Sequence, residues 1–128
     1  MAAAKAYAAM NEDEHLDMET IGADLDALMS EPAPDRTRIA QSLSLLKAAM
    51  LLHFAHEEAL MKEANYPNLF HHRRSHNYIV NEITVFIGAF VSGRESTTND
   101  IWPHLKKTLD THITRHDDDL SRFLGLAA

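Results

Sequence analysis

The chain is predicted to be all-α, an up-down-up-down antiparallel four-helix bundle. Apolar residues recur every three or four positions through four stretches, and nothing alternates at the period of two that marks strands. Three short breaks rich in proline, glycine or polar residues separate the stretches, as neighbouring antiparallel helices require. Nine histidines occur in 128 residues, and most of them fall in register with the apolar stripes, where leucine or isoleucine would ordinarily stand.

The first helix is expected from about Asn11 to Met29, with His15, Met18, Ile21, Leu25 and Leu28 three or four apart. The alanine-rich residues 1–10 show only a weak apolar run and are read as an N-terminal extension of a single domain spanning residues 1–128. Two prolines within Ser30–Asp35 end the helix, because proline lacks the donor and clashes with the preceding turn. The second helix starts near Thr37, its expected cap, and carries Ile39, Leu43, Leu46, Met50, His53, Glu57 and Leu60. Asn65-Tyr66-Pro67-Asn68 breaks the chain tightly. The third helix carries Leu69, His72, His76, Ile79, Ile83, Phe86 and Phe90. After the polar loop Ser92–Asn99, either Asn99 or Asp100 can cap the fourth helix, with Pro103 tolerated in its first turn. That helix carries Leu105, Leu109, His112, Leu120 and Phe123.

Bulk properties narrow the function. The chain has no cysteine, which removes disulfide frameworks, zinc fingers and iron–sulfur clusters together. A formal charge of −7 argues against nucleic acid or an anionic membrane as partner. No stretch approaches the roughly 20 apolar residues that span a bilayer, and the N-terminus lacks the features of a signal peptide. A soluble cytoplasmic protein is expected.

Ionisable groups lining a core are costly unless paired, hydrogen-bonded or bound to metal. A lone buried histidine is ordinarily explained by a hydrogen bond to a carboxylate. Here His15, His53, Glu57, His72, His76, His112 and one residue of the His116/Asp117 pair lie at matched depth in four helices. In an antiparallel arrangement they all fall roughly 6–18 Å from one end of the bundle. His53/Glu57 and His72/His76 are spaced i,i+4, so each pair shares one helical face. His116 is one turn from His112, whereas Asp117 is about 140° round from it on an ideal helix. Geometry alone leans towards His116. His56, His71 and His104 fall off the convergent set.

Seven ligands exceed what one zinc takes, but two six-coordinate metals bridged by carboxylates would use them all. Imidazole with carboxylate suits iron, and suits calcium or magnesium poorly. A ferritin-like site needs Glu-x-x-His on two helices, and only Glu12-x-x-His15 fits.

At these residues the chain resembles the hemerythrin family, including its single-domain bacterial members. The matching motifs are His15, then His53-Phe54-Ala55-His56-Glu57-Glu58-Ala59-Leu60-Met61, then Tyr66-Pro67 followed by His72-x-x-x-His76, and His112-Ile113-x-x-x-Asp117. The resemblance runs from the first helix to the end of the fourth. It implies a non-heme centre of two iron ions that binds O2. By position, it implies His72, His76 and His112 on one iron, His15 and His53 on the other, and Glu57 and Asp117 as bridges. It therefore favours Asp117 over His116, with a local helix distortion turning the carboxylate inward. Met18, Phe54 and Ile113 adjoin these ligands and are expected to line the O2 pocket while belonging to the core. Thr108, standing where relatives often carry tryptophan, is expected to complete that pocket and to admit water.

The leading expectation is a binding protein, not an enzyme, that takes up O2 reversibly for storage, transport or delivery. The alternatives are an enzyme reducing peroxide or nitric oxide at the same centre, and a sensor of O2 or iron.

Overall fold

The computed structural model describes residues 2–93 and 101–125. Helix α1 spans Ala2–Met29, α2 spans Arg36–Glu63, α3 spans Leu69–Val91 and α4 spans Ile101–His112. A π-helical turn, Ile113–Asp117, joins α4 to a short α5, Asp118–Phe123. No strand occurs among the described residues. The molecule is an all-helical bundle.

Each boundary has a local cause. Asp35, not the expected Thr37, caps α2, its side chain accepting from the Arg38 backbone N–H at 3.2 Å. At the other end of α2, Tyr66 N–H reaches Met61 O at 3.0 Å and Asn65 N–H reaches Lys62 O at 3.3 Å. This is a Schellman closure, and it needs a left-handed residue, supplied by Asn65 at φ 53°. Its usual apolar contact is present too, since Tyr66 and Met61 bury themselves in one cluster. Gly93 at φ 81° ends α3 in the same left-handed conformation. Pro103 lies in the first turn of α4, as expected. The Asn99 or Asp100 cap lies outside the described residues.

The start of α1 differs from the sequence expectation. Residues 2–10 continue the helix, whose start the spacing had put near Asn11. Alanines build no periodic stripe, yet alanine has the highest helix propensity of any residue. Tyr7 lies within this stretch and is 3% exposed.

Two apolar clusters fill the interior. The larger contains Met18, Leu25, Leu43, Met50, Ile79, Ile83, Phe86, Trp102 and Leu109 among others. The smaller contains Tyr7, Met61, Tyr66 and Leu120, with Met10 and Leu69 packed against it. On every helical stretch the seven ligand candidates fall between them: His15 between Met10 and Met18, His53 and Glu57 between Met50 and Met61, His72 and His76 between Leu69 and Ile79, and His112 and Asp117 between Leu109 and Leu120. A polar layer is thus sealed between two apolar plugs. At the far end Arg36 donates to Phe90 O at 2.7 Å and lies 4.2 Å over the Phe90 ring, tying the start of α2 to the end of α3.

Deleting residues 2–10 removes Tyr7 and Met10 from the smaller plug. Loss of one large buried side chain costs about 3–5 kcal/mol, so the truncated protein should unfold at markedly lower urea concentration. An unchanged midpoint would show that this segment packs against nothing.

Candidate metal centre

Ordinary helical spacing delivers four of the ligand candidates. His53 and Glu57 on α2, and His72 and His76 on α3, are one turn apart on inward faces, and all four are buried. The fourth helical stretch needs the π-helical turn. A π turn takes one more residue than an α turn, so the fifth residue after His112, rather than the fourth, returns to its face. Asp117 is accordingly 2% exposed and points into the polar layer. His116 is displaced to the half-buried margin and stacks on His112 with ring centroids 5.2 Å apart.

The structure brings together all seven candidates, in two groups that share Asp117. Glu57, His72, His76, His112 and Asp117 each offer one donor atom within 4.8 Å of the others, and so do His15, His53 and Asp117. Asp117 Oδ1 lies 3.1 Å from His72 Nε2 and 2.8 Å from His112 Nε2. Its other oxygen, Oδ2, lies 3.1 Å from His15 Nε2 and 3.5 Å from His53 Nε2. One carboxylate therefore presents one oxygen to each histidine group. Glu57 behaves differently. Its Oε1 faces His76 Nε2 at 3.0 Å, His72 Nε2 at 3.2 Å and His53 Nε2 at 3.6 Å, while its Oε2 accepts a 2.7 Å hydrogen bond from the Tyr7 hydroxyl.

The donor set fits a metal better than it fits a hydrogen-bond network. His53 Nε2, His112 Nε2 and Asp117 Oδ1 are buried without a hydrogen-bond partner, although His112 and Asp117 approach within 2.8 Å. Buried polar atoms are seldom left in this state, because each orphan costs about 1–3 kcal/mol.

The outer nitrogens of His53, His76 and His112 are held by a second set of groups, whereas His72 Nδ1 is buried without a hydrogen-bond partner. Glu14 takes His53 Nδ1 at 3.0 Å and His56 Nδ1 at 2.8 Å through its two oxygens. Glu58 takes His76 Nδ1 at 3.0 Å and is itself held by Arg73 Nε at 3.0 Å. Ser75 Oγ contacts His112 Nδ1 at 2.6 Å. Such partners orient the imidazole and keep Nε2 free as a ligand atom. Sequence reasoning missed Tyr7, Glu14, Glu58 and Ser75. Glu14, Glu58 and Ser75 immediately neighbour His15, Glu57 and His76, and Tyr7 continues the α1 stripe one further step through Asn11, but nothing in the residue types alone marked them.

The expected pocket residues do not line one space. Met18 and Ile113 share a cavity. Phe54 stacks on His76 at 3.9 Å between ring centroids and lines a separate groove. Thr108 lines a third depression beside His104, His112 and His116, its hydroxyl bonded to His104 O at 2.9 Å. A cleft of about 410 Å³ opens onto His15, Asp117 and Ile113, with Asn11, Thr114 and Ser121 at its walls.

Charges inside the layer are tightly balanced. Burial opposes the charged form of His53, but Asp117, Glu57 and Glu14 outweigh it and hold its pKa at about 9. His72 is raised to about 9 in the same way by Asp117 and Glu57. Burial, with His112 as positive neighbour, pushes His76 down. Glu57 and Asp117 stay well below the usual carboxylate range despite burial, because several imidazoles lie within ion-pair distance of each.

Fold and site together define a helical metal-binding protein. The hemerythrin HHE cation-binding domain model matches residues 8–124, nearly the whole chain, and the protein belongs to that family. Comparison with curated proteins gives no significant match, and comparison with solved structures gives none. No helix of the described residues is long and apolar enough to cross a membrane.

Two outcomes test this centre. Asp117→Ala should abolish binding at the shared position and lower metal stoichiometry, whereas His116→Ala should leave metal content intact. The reverse pattern would mean that the π-helical turn does not place the ligand. Protons provide the second test. The raised values at His53 and His72 mean that the metal-free fold holds extra protons from about pH 6.5 to about pH 9. Their ion-pair stabilisation is fully present below that window and is lost as pH rises through about 9. Metal uptake at pH 7.5 should therefore release protons into a weakly buffered indicator solution, and the release should decline as pH rises through about 9. Uptake without proton release at pH 7.5 contradicts this account.

Proposed function

We propose that the protein holds two iron ions and binds O2 reversibly, as a cytoplasmic carrier or store and not as an enzyme. The observation that carries this reading is the unequal division of imidazoles about Asp117. Three lie on one side and two on the other, and His15 on the two-histidine side faces the open cleft. Ferrous iron held by His15, His53 and Asp117 would supply electrons to O2 entering by the cleft. The protein's own groups account for the remaining properties. Five imidazoles and only two carboxylates leave more positive charge at the centre than a carboxylate-rich set would, which disfavours the high oxidation states that attack substrates. Phe54, itself buried, stacks on His76 and covers that ring on its apolar side. The Tyr7 hydroxyl is engaged with Glu57 and is not free to deliver a proton. An up-down-up-down helix order, with no nucleic acid or membrane as partner, belongs to the same reading.

A second reading is reduction of peroxide or nitric oxide at the same centre. One observation favours it: Asn11 Oδ1 is buried without a partner, in the cleft that also holds His15. An O–H on a bound ligand would satisfy that carbonyl, and O2 would not.

The discriminating experiment loads the protein anaerobically with ferrous iron, adds O2, then purges with argon faster than autoxidation. We expect a coloured species with O2, return of the colourless ferrous spectrum on purging, and two irons per chain. Irreversible oxidation accompanied by catalytic turnover of peroxide or nitric oxide moves the assignment to the enzyme.

A further inference from the structure

Helix α2 is apolar nearly all round its middle. From Ile39 to His56 its only acidic or basic residue besides histidine is Lys47, in a chain where 24% of residues are charged. One stripe, with Ile39, Leu43, Leu46, Met50, Phe54 and Met61, is buried in the bundle. The opposite stripe is exposed. Along it Gln41, Ala48, Ala55 and Lys62 recur every seven residues, and Leu45, Leu52 and Ala59 recur every seven between them. This is the spacing of a coiled-coil seam. Leu45 is 60% exposed and Leu52 is 55% exposed. A helix apolar on all sides is ordinarily covered on all sides, yet α2 packs chiefly against α1 and α3. The exposed residues of α1, by contrast, include Glu12, Asp13, Asp17, Glu19 and Asp24, an ordinary solvated face.

The seam is complementary to itself in one orientation. Set antiparallel about the level of Met50, Ala48 meets Leu52 of a second copy and Leu45 meets its Ala55, and a two-fold axis repeats both pairs. Each of these layers puts a large side chain against a small one, which lets the helices approach to about 8 Å. Parallel pairing would instead set alanine on alanine, leaving gaps, and Lys62 on Lys62. The ends of the seam agree with the antiparallel setting. Arg38 and Glu63 lie within about 20° of each other round α2, on its α1 flank, so Arg38 of each copy falls beside Glu63 of the other. Among the described residues neither side chain has an ion-pair partner in its own chain. Lys62 lies about 120° round from Arg38, on the other flank. On that flank Leu51 stands close to the two-fold axis, over a groove of about 450 Å³ lined by Phe54, Val80, Asn81 and Thr84. The Leu51 side chains of the two copies meet there and extend the contact towards α3.

We propose that the protein pairs with a second copy of itself through this face of α2, as an antiparallel two-fold dimer. Each copy carries a formal charge of −7, and this nearly uncharged strip is where two such chains can meet without repulsion at the contact. The strip is about 33 Å long and about 15 Å wide, so the dimer buries about 1,000 Å² in all, the low end for specific interfaces. A dissociation constant of about 10–100 µM follows from an interface of that size. The pairing does not rest on the O2-binding reading.

Sedimentation of the metal-loaded protein tests it. Between about 1 and about 500 µM the mass should rise from one chain to two. Ala48→Glu places a charge at the centre of the seam, where glutamate suits an exposed helical position, and should leave only monomer at every concentration. Circular dichroism, a thermal melt and metal content check that this variant is folded. Ile101→Glu, which changes an exposed apolar residue on α4, should dimerise as the wild type does. Arg38→Glu turns two attractions into repulsions and should weaken pairing about tenfold, and adding Glu63→Arg should restore it. A wild-type chain that stays monomeric at about 500 µM, or a dimer that survives Ala48→Glu, overturns the surface. A dimer lost in Ala48→Glu whose Arg38→Glu defect is not rescued by Glu63→Arg overturns the antiparallel register.

Discussion

The fold depends on holding seven ionisable side chains in one layer between two apolar plugs, open to solvent only beside His15. Six of the seven are buried, and the two carboxylates among them carry like charge into the same small volume. Removing an ion from water costs several kcal/mol even after relaxation, and two unpaired carboxylates here would weigh heavily against the modest stability of a domain this size. Five imidazoles offset that cost. The acids are held in their charged form, His53 and His72 keep protons, and His76 does not. Protons serve in the metal-free protein as stand-ins for the charge a metal brings, and exchange of one for the other couples metal binding to folding.

The two apolar plugs make this layer possible. Without the smaller cluster around Tyr7, Met61, Tyr66 and Leu120, the His72 and Glu57 side of the layer would face solvent at the end of the bundle. Tyr7 does two things at once. Its ring completes the plug, and its hydroxyl takes up Glu57 Oε2, leaving Oε1 as the oxygen turned to the histidines. Asp117 has no such partner, so both its oxygens are available, one to each group. The two acids, equivalent in a count of ligands, are unequal in the structure.

Outside the layer, Glu14 and Glu58 fix the rings from behind, and each is shared. Glu14 also holds His56 at the half-exposed surface, and Glu58 also holds Arg73. The orientation of buried ligands therefore depends in part on part-buried contacts, Glu14 with His56 and Glu58 with Arg73. Packing supplies the rest, with Phe54 stacked on His76.

Sequence alone determined the number of helical stretches, most of their boundaries, and the convergence of His15, His53, Glu57, His72, His76 and His112. The reason is that helical periodicity of 3.6 residues relates spacing directly to facing, and depth along a helix follows from its rise. Where that relation failed, spacing gave no answer. Asp117 is an outward residue on an ideal helix and was favoured only by the family resemblance; in the structure it turns inward because the π-helical turn inserts a residue that local propensity does not announce. The alanines before Asn11 have no stripe to read, so the reach of α1 and the burial of Tyr7 depend on what packs against them. The division of Met18, Phe54, Ile113 and Thr108 among separate spaces is likewise invisible in spacing, because adjacency to a ligand along a helix does not fix which gap between helices a side chain fills.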